Sequence, residues 1–151
     1  MHKSYRCLWL GPAITAVLLL TVFAVFGFFP FGGKSITWCD MTQQVIPLMG
    51  TFGRVLSGDS SFLLDMGAAG GMNFWGVFFF FLASPLSIPA ALVPLEYLPF
   101  AMNILLLLKM MLCALTAALF FRRFFPEKST LAISLLGVMY AFSGFALNYY
   151  Q

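Results

Sequence analysis

The sequence predicts an all-α integral membrane protein with three transmembrane helices and amphipathic interfacial helices in a large first external loop. Three observations predict it. Of the 151 residues, 62% are hydrophobic and 9% charged, whereas an ordinary soluble domain is roughly half apolar and about a quarter charged. The mean hydropathy is +0.96. The eight basic and five acidic residues leave long gaps: stretches 8–30, 66–95 and 129–151 carry no charge, and 97–121 carries only Lys109. Apolar runs of this length cross or enter a bilayer. The same composition excludes a disordered segment and a disulfide scaffold. A net charge of +3 scattered through loops is no basic patch, so no nucleic-acid partner is expected.

The first element is a span over residues 8–29. Its apolar run of about 22 residues exceeds the roughly 7–15 of a secretory h-region, and bulky Phe28-Phe29-Pro30-Phe31 follows where cleavage needs small residues. It is read as an uncleaved helix. Lys3 and Arg6 before it place the N-terminus in the cytoplasm by the positive-inside rule.

Residues 30–97 then form the external loop, with a surface helix predicted over about 41–56. Val45, Leu48, Met49, Phe52, Val55 and Leu56 recur at steps of three and four, one face of a helix. Pro47 is tolerated in a first turn, and Asp40 is the right residue type to cap or precede the helix. Gln44, Thr51 and Arg54 would lie opposite, leaving the apolar side in lipid. Gly58-Asp59-Ser60-Ser61 reads as a turn. Asp65 opens a small-residue loop running to Asn73, which either brings backbone N–H groups near a phosphate or sugar or serves as a hinge.

Residues 73–95 are apolar but interrupted by Pro85, Pro89 and Pro94. Only 74–84 is free of proline, about 16 Å of helix, half a bilayer. If 73–95 crossed, the next helix would deliver Arg122, Arg123 and Lys128 outside, against the positive-inside rule. An interfacial or re-entrant segment, helical over about 74–84, followed by spans over 98–121 and 130–147, satisfies both signals. The alternative is four spans. Cys7, Cys39 and Cys113 then fall at the cytoplasmic edge, in the outer loop and inside a span, so no internal disulfide is expected. Ser134, Gly137, Ala141, Gly144 and Asn148 form a small, polar stripe read as helix packing. His2 is terminal, and no Cys/His spacing suggests zinc. The chain stops just after the last span and reads as an N-terminal fragment of a larger multi-span protein.

Asp40 carries the strongest chemical expectation. A carboxylate held at the membrane surface could act as general base on an acceptor hydroxyl or help hold a divalent metal over a phosphate. The plain alternative is a helix cap with no chemistry. Lys109, deep in its span, either lines an anionic lipid-phosphate site or pairs with a structural partner.

The chain resembles the N-terminal part of the bacterial YfhO family of multi-spanning membrane proteins. The resemblance rests on Pro30-Phe31-Gly32-Gly33-Lys34-Ser35, Asp40-Met41-Thr42-Gln43-Gln44 with Pro47, Gly70-Gly71-Met72-Asn73, Ser84-Pro85-Leu86, Leu108-Lys109, Arg122-Arg123 and Tyr140-Ala141-Phe142-Ser143-Gly144. The family is regarded as similar to the C-type glycosyltransferase superfold. That resemblance implies a bacterial plasma-membrane protein that moves a sugar from a polyprenyl-phosphate donor to a cell-envelope polymer such as teichoic acid. It maps Asp40 onto the catalytic acid of the first external loop and residues 45–56 onto a membrane-surface helix. Gln43, Gln44, Arg54, Asn73 and Lys109 become candidate substrate contacts. Relatives are several times longer, so this stretch alone is expected to be inactive. A non-enzymatic transporter or flippase subunit and an inactive truncated remnant stand as alternatives.

Overall fold

The computed structural model describes residues 9–37, 39–67, 70–144 and 146. Among them there are six α-helices and no strand, and an isolated bridge pairs Asp65 with Met72. The architecture is all-α, as the composition implies. Lys3, Arg6, Cys7, Leu8 and Asn148, to which parts of the topology and packing readings refer, lie outside the described residues. The chain divides into two compact units, residues 1–33 with 106–150, and residues 34–105.

The first unit contains α1 (Leu10–Phe26), most of α5 (Leu98–Phe124) and α6 (Thr130–Ala141). Gly27 ends α1 in a left-handed conformation (φ 69°), and Phe28 N–H closes back on the Phe23 carbonyl at 2.8 Å. The 27 residues of α5 make about 40 Å of helix. Together with its lead-in from Leu95, α5 is the one described helix long and apolar enough to cross a membrane. The predicted spans at 8–29 and 130–147 are represented by α1, 17 residues, and α6, 12 residues, both apolar but shorter.

α5 runs three residues past its predicted end at Phe121. Pro126 then stops it, because the residue before a proline avoids helical backbone. Arg122 fixes the turn that follows, donating from Nη1 to the Lys128 carbonyl at 3.0 Å and from Nη2 to Thr130 Oγ1 at 2.9 Å. Ser129 caps α6 by accepting from Ala132 N–H.

The small residues of this unit sit where helices approach closely. A Cβ on Gly137 would lie 2.6 Å from the Ala114 carbonyl oxygen, so that crossing requires glycine. Of the predicted small-residue stripe, Ser134, Gly137 and Ala141 are buried, while Gly144 is exposed.

The second unit opens on the non-helical segment 34–37 and holds α2 (Ile46–Leu56), α3 (Phe74–Val77) and α4 (Ser87–Ala91). A wider π turn, Met41–Val45, precedes α2, so the helix predicted over 41–56 is present with a change of pitch. α3 likewise continues as a π turn, Phe78–Leu82. The helix predicted over 74–84 therefore ends at Leu82, where Ser84 and Pro85 turn the chain into α4. Residues 73–95 do not form a continuous helix, for the prolines break the ladder.

One expectation is corrected. Most of the apolar face of 41–56 is covered by protein, not left to lipid: Val45, Met49, Phe52 and Val55 are buried, as is Met41, while Leu48 is half-buried and Leu56 exposed. Phe52 joins a cluster of rings from the following segments, 5.2 Å from Phe78 and 6.2 Å from Phe62, and Phe62 stacks on Trp75 at 4.7 Å. Gly53 meets the Ala91 carbonyl so closely that α4 can lie directly on α2. Thr51, expected on the polar face, is buried with them. The exposed apolar surface is instead on the later segments, with Phe79 at 68% and Phe80 at 79% exposure and Ile88, Leu92 and Leu95 also exposed.

Candidate functional site

Asp40 occupies the first position of the helical stretch that contains α2. Cys39 immediately before it has a left-handed backbone (φ 47°), and its carbonyl accepts N–H bonds from Thr42 and Gln43 at 3.0 Å. The first turn is thus closed by main chain alone. The Asp40 side chain makes no capping bond; among the described residues it is reached by the Cys39 thiol, at 3.8 Å. Asp40, Gln43 and Gln44 are all exposed.

The π turn has an identifiable cause. In a continuous α-helix, Pro47 would leave the Gln43 carbonyl without its donor and press its ring against that oxygen. Widening the turn, with Ile46 N–H bonded to the Met41 carbonyl, avoids the clash. Such π turns are frequent at functional sites, and this one carries both Gln43 and Gln44.

Asn103, which sequence reasoning did not single out, holds the segment leading to Asp40. It is fully buried. Its Oδ1 accepts from Ile36 N–H at 2.8 Å and its Nδ2 donates to the Lys34 carbonyl at 3.4 Å. Ser35 and Thr37 hydroxyls lie 2.7 Å apart in the same segment. The sequence signal was a lone amide in the apolar run 98–108.

A cleft of about 540 Å³ opens along α2 on the side of Arg54. Pro47, Leu48, Leu92 and Leu95 form its apolar wall, and Thr51, Arg54, Ser57 and Asp65 its polar one. Arg54 Nη2 donates to Thr51 Oγ1 at 3.1 Å. Asp65 is 6% exposed; its Oδ1 accepts from Gly67 N–H at 2.9 Å, and its main chain pairs with Met72 in both directions. The chain on either side of the small-residue loop is therefore held together at Asp65 and Met72. Sequence reasoning placed Asp65 at the mouth of a loop; its burial beside the Arg54 cleft was not foreseen.

The remaining candidates separate. Asn73 caps α3, accepting from Trp75 N–H at 3.0 Å, and its side chain is exposed. Lys109, twelfth residue of α5, belongs to the unit of α1 and α6. Asp40, Gln43, Gln44, Arg54 and Asn73 belong to the other unit, and Arg54 alone of these lines the cleft. Among the described residues, no three His, Cys, Asp or Glu side chains come together. Asp40 brings one carboxylate, and magnesium is commonly held by one or two carboxylates together with substrate phosphates and water. Cys39 and Cys113 are free thiols.

A family model described as bacterial membrane protein YfhO matches residues 13–151. No curated protein and no solved structure matches the chain.

Proposed function

The chain belongs to the YfhO family of bacterial membrane proteins, and on that premise we propose that it serves in a membrane glycosyltransferase. The reaction moves a sugar from a polyprenyl-phosphate donor to an extracytoplasmic cell-envelope acceptor such as teichoic acid. Asp40 takes the proton of the acceptor hydroxyl, the freed oxygen bonds to the anomeric carbon, and the bond from that carbon to the polyprenyl phosphate breaks. Gln43 and Gln44 contact the sugar from the π turn. Arg54 binds sugar hydroxyls or phosphate in its cleft, with Asp65 as an acceptor beside it. Asn73, as a helix cap, keeps its amide N–H groups for a substrate contact.

The observation that carries this reading is the exposed Asp40 carboxylate that does not cap its helix. A capping aspartate would be occupied by main-chain N–H groups; this one is open to a hydroxyl within hydrogen-bond reach. Topology belongs to the same proposal: cytoplasmic N-terminus, residues 30–97 outside, and spans built on α1, α5 and α6. The exposed Phe79, Phe80 and Ile88 meet the outer lipid surface.

The test is Asp40→Asn in the natural bacterial protein. Extracytoplasmic glycosylation is expected to be lost, while the amount of protein inserted in the membrane is unchanged. Wild-type glycosylation in that variant would remove the catalytic role.

A further inference from the structure

We infer that Asn103 is the positioning residue for Asp40: its buried amide replaces a strand partner for residues 34–36 and so fixes the chain's approach to the carboxylate. The inference rests on the reading of Asp40 as the catalytic group.

Asn103 is the sixth residue of α5 and is fully buried. A buried amide needs partners for both its oxygen and its nitrogen. Here it finds the N–H of Ile36 at 2.8 Å and the carbonyl of Lys34 at 3.4 Å. These are the two main-chain groups flanking Ser35, the pair a residue on a parallel strand would engage. A single helical side chain thus supplies one rung of a ladder where the surrounding structure is helical.

The chain is held again just after Asp40, where Met41 and Val45 are buried. Asp40 therefore opens its helical stretch with the held residues 34–36 before it and the buried Met41 directly after it. Anchoring of this kind matters for a group that must meet a hydroxyl in one geometry, because small displacements of a catalytic group reduce rate steeply.

The experiment uses the purified natural protein in detergent, as wild type, Asn103→Leu and Asn103→Asp. Leucine keeps the volume and removes the hydrogen bonds to Lys34 and Ile36; aspartate keeps the acceptor for Ile36. Trypsin cuts after Lys34 at the peptide bond whose carbonyl Asn103 holds. Asn103→Leu is expected to be cut there about tenfold faster than wild type, as the loss of two ordinary hydrogen bonds implies. Asn103→Asp falls between them, and cutting after Lys128 is unchanged.

A second readout reports on Asp40 itself. Cys39 is exposed, with its thiol 3.8 Å from the Asp40 carboxylate, so a cationic methanethiosulfonate should modify it faster than an anionic one. Mass spectrometry locates the modification. Asn103→Leu is expected to lower the cationic-to-anionic rate ratio toward that of Asp40→Asn, and Asn103→Asp to retain most of it.

An unchanged cutting rate at Lys34 or an unchanged ratio in Asn103→Leu overturns the inference. Equal acceleration at Lys34 and Lys128 overturns it too, since Asn103 would then support the fold at large. If both readouts behave as expected but Asp40→Asn retains glycosylation, the clamp stands and the catalytic reading falls.

Discussion

Asp40 and Arg54 share one helical stretch but have different surroundings, and their variants should differ accordingly. Asp40 is exposed and leaves its first turn to main-chain bonds, so its loss should remove activity with little effect on folding. Arg54 reaches Thr51 and lines the cleft. Arg54→Lys keeps the charge but not the planar fork that pairs two acceptors at once. It is expected to raise the donor KM about tenfold, the value of one good charge-assisted hydrogen bond, with a smaller change in kcat, as steady-state kinetics would show. At this scale an acid before an amphipathic pattern was legible in the sequence. Asn103 was not. Its partners lie 67 and 69 positions away, and nothing local distinguishes a clamp from a tolerated amide. Asn73 was legible as a polar loop end, yet its capping bond depends on where α3 starts.

The elements of the outer unit are shaped by prolines and glycines as much as by apolar period. Steps of three and four located the helix at 41–56 correctly but could not say what covers its apolar face. Periodicity reports that one side avoids water, not which surface it meets. The covering surface comes from Phe62, Phe74 and Phe78, which lie 10 to 26 positions beyond Phe52 on other segments. The close crossing of α2 and α4 at Gly53 yields a direct prediction. Gly53→Ala sets a methyl group against the Ala91 carbonyl, and overpacking of this kind destabilises by about 1–3 kcal/mol. A thermal melt of the purified protein should show a lowered midpoint. Gly58 has nothing near its Cβ position, but its left-handed backbone (φ 86°) strains any side chain placed there.

For the whole molecule, composition alone established a helical membrane protein, and the family match agrees. The finer topology is testable with the cysteine already present. Cys39 is exposed, and in intact cells a membrane-impermeant maleimide should label it, whereas a cysteine engineered beside Arg122 should stay unlabelled until the membrane is opened. Labelling of both sites from outside would require the four-span arrangement. The charge gaps that marked the spans could not fix helix ends. α5 runs past its predicted end, with Arg122 bonded to Lys128 and Thr130 in the turn that follows, and α6 ends at Ala141, where Phe142 and Ser143 turn the chain. The Asn103 clamp also has a consequence for biosynthesis. A ribosome adding about 5–20 residues per second needs roughly 3–13 seconds to go from Ile36 to its partner, which lies 67 residues later. Through that interval the nascent outer segment has no clamp, and Asp40 gains its anchored approach only after the start of α5 has been made.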